Sequence, residues 1–151
     1  MSTLSQFIAY AAAFEKAFES DDWSLVEPFF TDDAVYQVGL PGTFGGLFEG
    51  RRAILDYFKR VLDAFDRRFA TRAIVLLEGP RVEGDSLWAR GRVDYTTPAA
   101  PDLSFELEEI VTYQGDRICH LEDVYDDAAR ETLAKYIDAH RTVLGIPSLD
   151  D

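Results

Sequence analysis

The chain has 151 residues, 47% hydrophobic and 28% charged, the balance of a single globular domain over 1–151 rather than a disordered segment. Twenty-eight acidic against 15 basic side chains leave a formal charge of −13, which repels a duplex or an anionic bilayer, so no nucleic acid and no membrane is expected as partner. The single Cys119 has no internal disulfide partner, no apolar run approaches a membrane span, and Met1-Ser2-Thr3-Leu4-Ser5-Gln6 lacks the basic start of a secretory signal, so a cytoplasmic domain is expected.

Thr3 and Gln6 have capping-box spacing, and Leu4, Phe7, Ala11, Phe14 and Phe18 recur as one stripe, which predicts a first helix ending at Ser20-Asp21-Asp22. Either Asp caps a short second helix with Trp23, Val26 and Phe29, limited by Pro28. Residues 34–38 read as a short strand. Residues 39–50 hold five glycines with Leu40, Phe44, Leu47 and Phe48 between them, but lack the Gly-Lys-Ser/Thr ending of a phosphate loop. Two readings stay open: a long connection whose aromatics plug the core, or a mobile apolar lid closing a cavity with Phe44 or Phe48.

Residues 53–69 form the clearest helix, with Ile54, Tyr57, Phe58, Val61, Leu62, Phe65 and Phe69 on a broad apolar face and Asp56–Arg60 and Asp63–Arg67 as solvated pairs. Strands follow at 71–77, 87–97, 103–113 and 117–125, arranged as two hairpins with a loop at Pro98 to Pro101. Asp126 or Asp127 caps a last helix carrying Ala129, Leu133, Tyr136, Ile137, His140 and Leu144, which stops at Gly145. The fold class is α+β: a curved antiparallel sheet wrapped around helices, a cone with a cavity at its open end.

The residues alone leave several site questions open. The strand over 87–96 has an apolar face (Leu87, Ala89, Gly91, Val93, Tyr95) and a polar one (Trp88, Arg90, Arg92, Asp94, Thr96). Either face can line the cavity, and alternation favours the apolar one. Glu109 shares a face with Phe105, Leu107 and Val111, while Glu106 and Glu108 read as solvated. A carboxyl buried among apolar neighbours has a raised pKa and serves as acid or base near neutrality; partial exposure or an ion pair with Arg92 is the alternative. Cys119 reads as a small core residue, His140 as packing, and His120 as a surface or interface histidine. Two histidines and one cysteine at scattered spacing match no zinc pattern, so no metal is expected.

The element order, with Phe14, Asp22-Trp23, Phe29-Phe30-Thr31-Asp32-Asp33-Ala34-Val35-Tyr36, Phe48-Glu49-Gly50-Arg51-Arg52-Ala53-Ile54 and Gly115-Asp116-Arg117-Ile118 leading to Tyr125-Asp126, resembles the nuclear transport factor two superfamily. Within it the chain is most similar to the SnoaL-like polyketide cyclase branch, over about residues 5–127. The resemblance implies the cone fold. It leaves open steroid isomerases, cyclases, dehydratases, limonene-type epoxide hydrolases and non-catalytic binding domains. Epoxide hydrolases of that type use an Arg-x-Asp, a second Asp on the last strand and a Tyr-x-Asn; Arg92-Val93-Asp94, Asp123 and Tyr36 match, and Val38 stands in place of the asparagine. The steroid-isomerase base also falls at Val38, its helix tyrosine at Phe14, and its protonated Asp at Glu109. Cyclases and dehydratases pair His with Asp; alternation sets His120 opposite Asp123.

The resulting expectation is an acid–base enzyme without a cofactor, an isomerase, cyclase or hydrolase acting on a small apolar molecule with an oxygen function. Arg92 orients Asp94 and Asp123 as the carboxylate pair, and Glu109 or Tyr36 donates to substrate oxygen. Phe14, Phe18, Phe44, Phe58 and Trp88 are expected to line the pocket, joined by Tyr57, Leu107 and Tyr125. The alternative is a non-catalytic binding or assembly domain. A homodimer is expected through the outer sheet face, because inward Arg92 would leave Leu87, Ala89, Val93 and Tyr95 exposed.

Overall fold

A computed structural model describes residues 2–150 of the chain. Helix α1 spans Thr3–Ser20 and is capped by Ser2, whose side chain accepts from the Ser5 amide at 3.1 Å, one residue before the expected cap. Its interior face carries Gln6, Tyr10 and Ala17. Two 3-10 turns, Trp23–Leu25 and Glu27–Phe29, replace the short second helix, with Asp22 capping the first. Strand β1 is Phe30–Val38 and β2 is Gly46–Glu49. Helix α2 covers Arg51–Ala64, shorter than expected, and a 3-10 turn at Asp66–Arg68 follows it. The Asp63–Arg67 pair forms at 2.9 Å, but Arg60 turns to the Thr43 carbonyl at 2.8 Å instead of to Asp56.

Strands β3 (Thr71–Glu83), β4 (Ser86–Thr97), β5 (Ala100–Gln114) and β6 (Arg117–Val124) complete the sheet. Strand β3 runs on through Gly79-Pro80, which lies in a register shift between Glu78 and Arg81 instead of ending the strand. Thr97 pairs with Ala100, so the expected loop before Pro101 is a tight turn. The strand order is β2-β1-β6-β5-β4-β3. Neighbours are antiparallel except β1 and β6, which run parallel, so the sheet is mixed and not purely antiparallel. Helix α3, Asp127–Leu144, starts on Asp126, which accepts from the Ala129 amide at 2.8 Å, and stops at Gly145 with φ 71°.

Alternation on the strands separates two faces. On β4, Leu87, Ala89, Val93 and Tyr95 are buried, and on β5 Leu103, Phe105, Val111 and Tyr113 are buried with them. This inner face packs against α1, α2 and α3 in two aromatic-rich clusters, one around Tyr10, Phe30, Tyr36 and Phe58, the other around Phe65, Tyr95, Phe105 and Tyr136. The architecture is the α+β cone. The apolar face of β4 is therefore interior and is no dimer contact, because burying those side chains releases more water than burying the charged set opposite. Among the described residues no helix is long and apolar enough to cross a membrane.

The glycine-rich stretch is ordered by pairing. Its second half is β2, which pairs with β1 from Val35↔Glu49 to Val38↔Gly46. Its first half is a 3-10 turn, Gly42–Phe44, whose Phe44 is 4% exposed. The Thr43 amide donates to the Leu149 carbonyl at 3.0 Å, fastening the C-terminal segment to this turn. Gly42 has φ +66°, and a Cβ there would sit 1.6 Å from Leu149 O. Gly42→Ala is expected to lower stability by about 1–2 kcal/mol from the left-handed conformation alone, and more from the clash. Urea unfolding at one temperature checks this; an unchanged midpoint would contradict the close approach.

Candidate active site

The inner sheet wall and the helices enclose a cavity of about 740 Å³. Its surface is mostly apolar, and one patch of the wall is chemically distinct. Glu109 on β5 and Asp123 on β6 are direct partners in the antiparallel register and both point inward. The same level of the sheet carries Val38 on β1, paired with Asp123, and Ala89 on β4, paired with Glu109. Each carboxyl thus has its fellow on one side and a small or apolar residue on the other.

Asp123 is 6% exposed. One of its oxygens, Oδ2, accepts a short hydrogen bond from the Tyr36 hydroxyl. Tyr36 pairs with Leu121, two residues before Asp123, and in a parallel pair its ring reaches forward to the carboxylate. The other oxygen, Oδ1, is buried and receives no N–H or O–H among the described residues. Glu109 lies within hydrogen-bonding reach of Asp123, and a proton on it supplies the donor that the pair needs. Burial pushes Asp123 from 3.8 up to about 6, opposed by the bonds from Tyr36 and Glu109. Burial, then the charge of Asp123, raises Glu109 well above the usual carboxylate range. Both carboxyls line the cavity, Glu109 half-buried and Asp123 more deeply set. Like charges at this spacing in a low-dielectric wall do not ionise together, so one proton stays on the pair through neutrality.

Tyrosines surround the pair. Burial raises the hydroxyls of Tyr10, Tyr36, Tyr57 and Tyr125, and the Asp123 charge adds to each shift. Tyr57 donates to the Phe44 carbonyl at 2.6 Å and stacks on Phe48 at 4.2 Å, so it holds the glycine-rich turn over the cavity. Phe44 faces inward against Phe65 at 5.6 Å, which makes this segment a plug.

The structure brings together part of the expected set. Asp123, Glu109 and Tyr36 meet, and Phe14, Phe44, Tyr57, Phe58, Leu107 and Tyr125 line the cavity. Arg92 and Asp94 do not join them. They form a two-pronged pair on the outer face, at 2.8 and 3.0 Å, and Ser104 donates to Asp94 at 2.6 Å. Trp88 shares that outer face, donating to Glu108 at 2.9 Å beneath the Arg81 guanidinium. Phe18 lies outside the cavity under the Arg67 and Arg72 guanidinium groups. Arg92, Asp94 and Trp88 belong to the polar set of β4, which turns out when the apolar set turns in. His120 is half-buried near Glu122 on the face opposite Asp123, and Cys119 is half-buried beside the Thr112 carbonyl.

Two features were not legible before. Tyr10 lines the cavity; it lies three residues after Phe7 and four before Phe14, so helical spacing places it within the stripe. A second polar cluster sits at the rim, where Arg72 donates to Asp66 at 2.7 Å and to Glu15 at 3.1 Å, and Tyr95 donates to Asp66 at 2.9 Å. Its members come from α1, the turn after α2, β3 and β4, and no local pattern joins them.

The sequence matches the family model of the SnoaL-like domain over residues 10–121. No curated protein matches it. A nuclear transport factor two-like protein of unknown function from Burkholderia pseudomallei superposes with a TM-score of 0.68 at 16% identity, covering 91% of this chain and 98% of that one. Bal32a, from a soil-derived mobile gene cassette, gives 0.67 at 16% identity over 89% and 98%. A protein from Sinorhizobium meliloti, provisionally described as a polyketide cyclase, gives 0.55 at 24% identity over 76% and 92%. At these identities the likeness is one of fold.

Both carboxyls of the pair hold protons more tightly in the folded than in the unfolded chain. Their stabilising contribution is therefore complete below their unfolded pKa values, near 4, and is lost as the pH rises through about 6 and beyond. Glu109→Gln removes one of the two buried acids and still donates to Asp123. Urea unfolding across that range is expected to show the variant gaining on the wild type as pH rises. Parallel stability curves would contradict the shared-proton pair.

Proposed function

This chain belongs to the SnoaL-like domain family, and on that premise we propose that its cavity moves protons on a small, largely apolar molecule carrying a carbonyl or hydroxyl oxygen. The observation that carries this reading is the in-register pair Glu109–Asp123 with the Tyr36 hydroxyl on one of its oxygens. In this reading Asp123, ionised above about pH 6, is the base. It takes a proton from carbon next to the substrate carbonyl and becomes the acid. Glu109, protonated, turns its one O–H from Asp123 to the substrate carbonyl oxygen, where negative charge develops, and so frees an Asp123 oxygen to act as base. Tyr36 keeps Asp123 oriented and is a positioning residue. The same proton then returns to a different carbon, which is isomerisation; or the enolate carbon attacks a second carbonyl of the same molecule and the Asp123 proton passes to the alkoxide so formed, which is cyclisation. All these groups come from one chain, and the balance of atoms calls for no cofactor.

One observation favours a second reading, a binding domain without turnover. Val38 is 3% exposed and sits directly beside Asp123, where a polar side chain would hold a water or a second base. Such a domain would bind the same apolar molecules and exchange none of their protons.

Proton–deuterium exchange distinguishes the two without knowledge of the natural substrate. A hydrophobic ketone in deuterated buffer is expected to exchange its α-protons with the protein present, at a rate rising through about pH 6. Asp123→Asn is expected to cut that rate by about 10²–10⁴-fold while leaving ketone affinity nearly unchanged, because shape is kept. Exchange that survives Asp123→Asn and Glu109→Gln alike would rule the pair out as the acid–base machinery.

A further inference from the structure

The cavity has a second feature that the carboxyl pair does not use. From the level of Asp123 and Glu109 the inner wall continues across the sheet through Ala89 and Gly91 on β4 to Leu76 on β3, which pairs with Gly91. Three strand spacings separate β6 from β3, about 14 Å along the wall. Ala89 and Gly91 are the smallest residues of that path, and they leave a trough where larger side chains would fill it. The trough ends at edge strand β3, opposite α1.

There the apolar lining is left open to water. Leu4, Ile8, Ile74 and Leu76 all line the cavity and are 41%, 59%, 55% and 54% exposed. Two fastenings bracket this slot between α1 and the sheet. Thr3 donates to the Gly84 carbonyl at 3.4 Å, and Arg72 reaches Glu15 at 3.1 Å. Thr3 and Glu15 are twelve helical steps apart, about 18 Å of helix. Exposed aliphatic side chains continuous with a buried apolar trough are covered most economically by the far end of the molecule that fills the trough.

We propose that the ligand has one oxygen-bearing head, seated at Glu109 and Asp123, and an unbranched or flat apolar body at least about 14 Å long, whose far end leaves the cavity between Ile8 of α1 and Leu76 of β3. The placement of the head rests on the function proposed above; the length and the side opening rest on the wall and the slot. The α1 side of the mouth carries no charged residue between Thr3 and Glu15, and the Arg90 guanidinium that borders the cavity from β4 is engaged by Glu78 and Glu106, so the body is recognised chiefly by burial.

Straight-chain methyl ketones of increasing length test this by titration calorimetry with the full chain. Affinity is expected to rise about fourfold with each added methylene until the chain passes the mouth, then level off. The double variant Ile8→Gln, Leu76→Gln alters exposed positions, and its far-ultraviolet spectrum and melting should match the wild type. It should bind short ketones as the wild type does and lose about tenfold or more for the longest. Three results would overturn the inference: no dependence on length, equal losses for short and long ketones, or a wild-type dimer that the double variant dissociates, which would make a second copy the occupant of the slot. Asp123→Asn separates the two proposals. Length dependence that persists while α-proton exchange is insensitive to Asp123 overturns the acid–base reading and keeps this one; intact Asp123-dependent exchange with flat affinity does the reverse.

Discussion

Two carboxyl groups on neighbouring strands, facing one apolar interior, cannot both carry charge. The antiparallel register sets Glu109 opposite Asp123, and the inner face of the sheet denies them a counter-ion. Among the described residues no arginine or lysine is paired with either. The structure answers with a proton and a hydroxyl: Tyr36 donates to Asp123, and the proton retained on the pair provides the remaining donor. Leaving two acids buried without a cation costs stability, which most folds avoid by pairing or exposing them. Here the expense falls in the wall of a mostly apolar cavity, where perturbed acidity commonly marks a working site.

The rest of the cone follows from that placement. The sheet must hold β5 and β6 in register, and β1 must run parallel to β6 so that Tyr36 reaches forward to Asp123. Small residues at Ala89 and Gly91 keep the space in front of the pair open, while Phe44 and Tyr57 close the end where the glycine-rich turn meets the C-terminal segment. A second charged cluster, Arg72 with Asp66 and Glu15, ties α1 to the sheet; Arg72 and Asp66 are largely buried and satisfy each other, and only Glu15 is exposed.

Much of this was legible in the sequence, residue by residue. Strand parity placed Glu109 on the face of Phe105, Leu107 and Val111 and left burial or partial exposure open; it is half-buried. Asp123 and Tyr36 were candidates through the resemblance. Their meeting was not legible, since it depends on register between strands far apart in the chain. The choice of face on β4 was decided by burial: Leu87, Val93 and Tyr95 have more apolar surface to hide than the opposite set, so Arg92 and Asp94 satisfy each other outside. Strand β2 was hidden by its short length and glycine neighbours, and β3 runs on past the expected end at residue 77 because Gly79-Pro80 is taken up in a shift of register. The Asp66–Arg72–Glu15 cluster draws on four separate elements and had no signal in any of them.

The central claim is that one proton is shared by two buried acids beside an apolar cavity. Carbon-13 labelling of aspartate and glutamate side chains, followed by nuclear magnetic resonance across the pH range, reads it directly. The account predicts that the Asp123 carboxyl titrates near pH 6 and that Glu109 keeps its proton to higher pH, with each resonance responding to the other's titration. Independent titration of both groups in the ordinary carboxylate range, about 4, would contradict it.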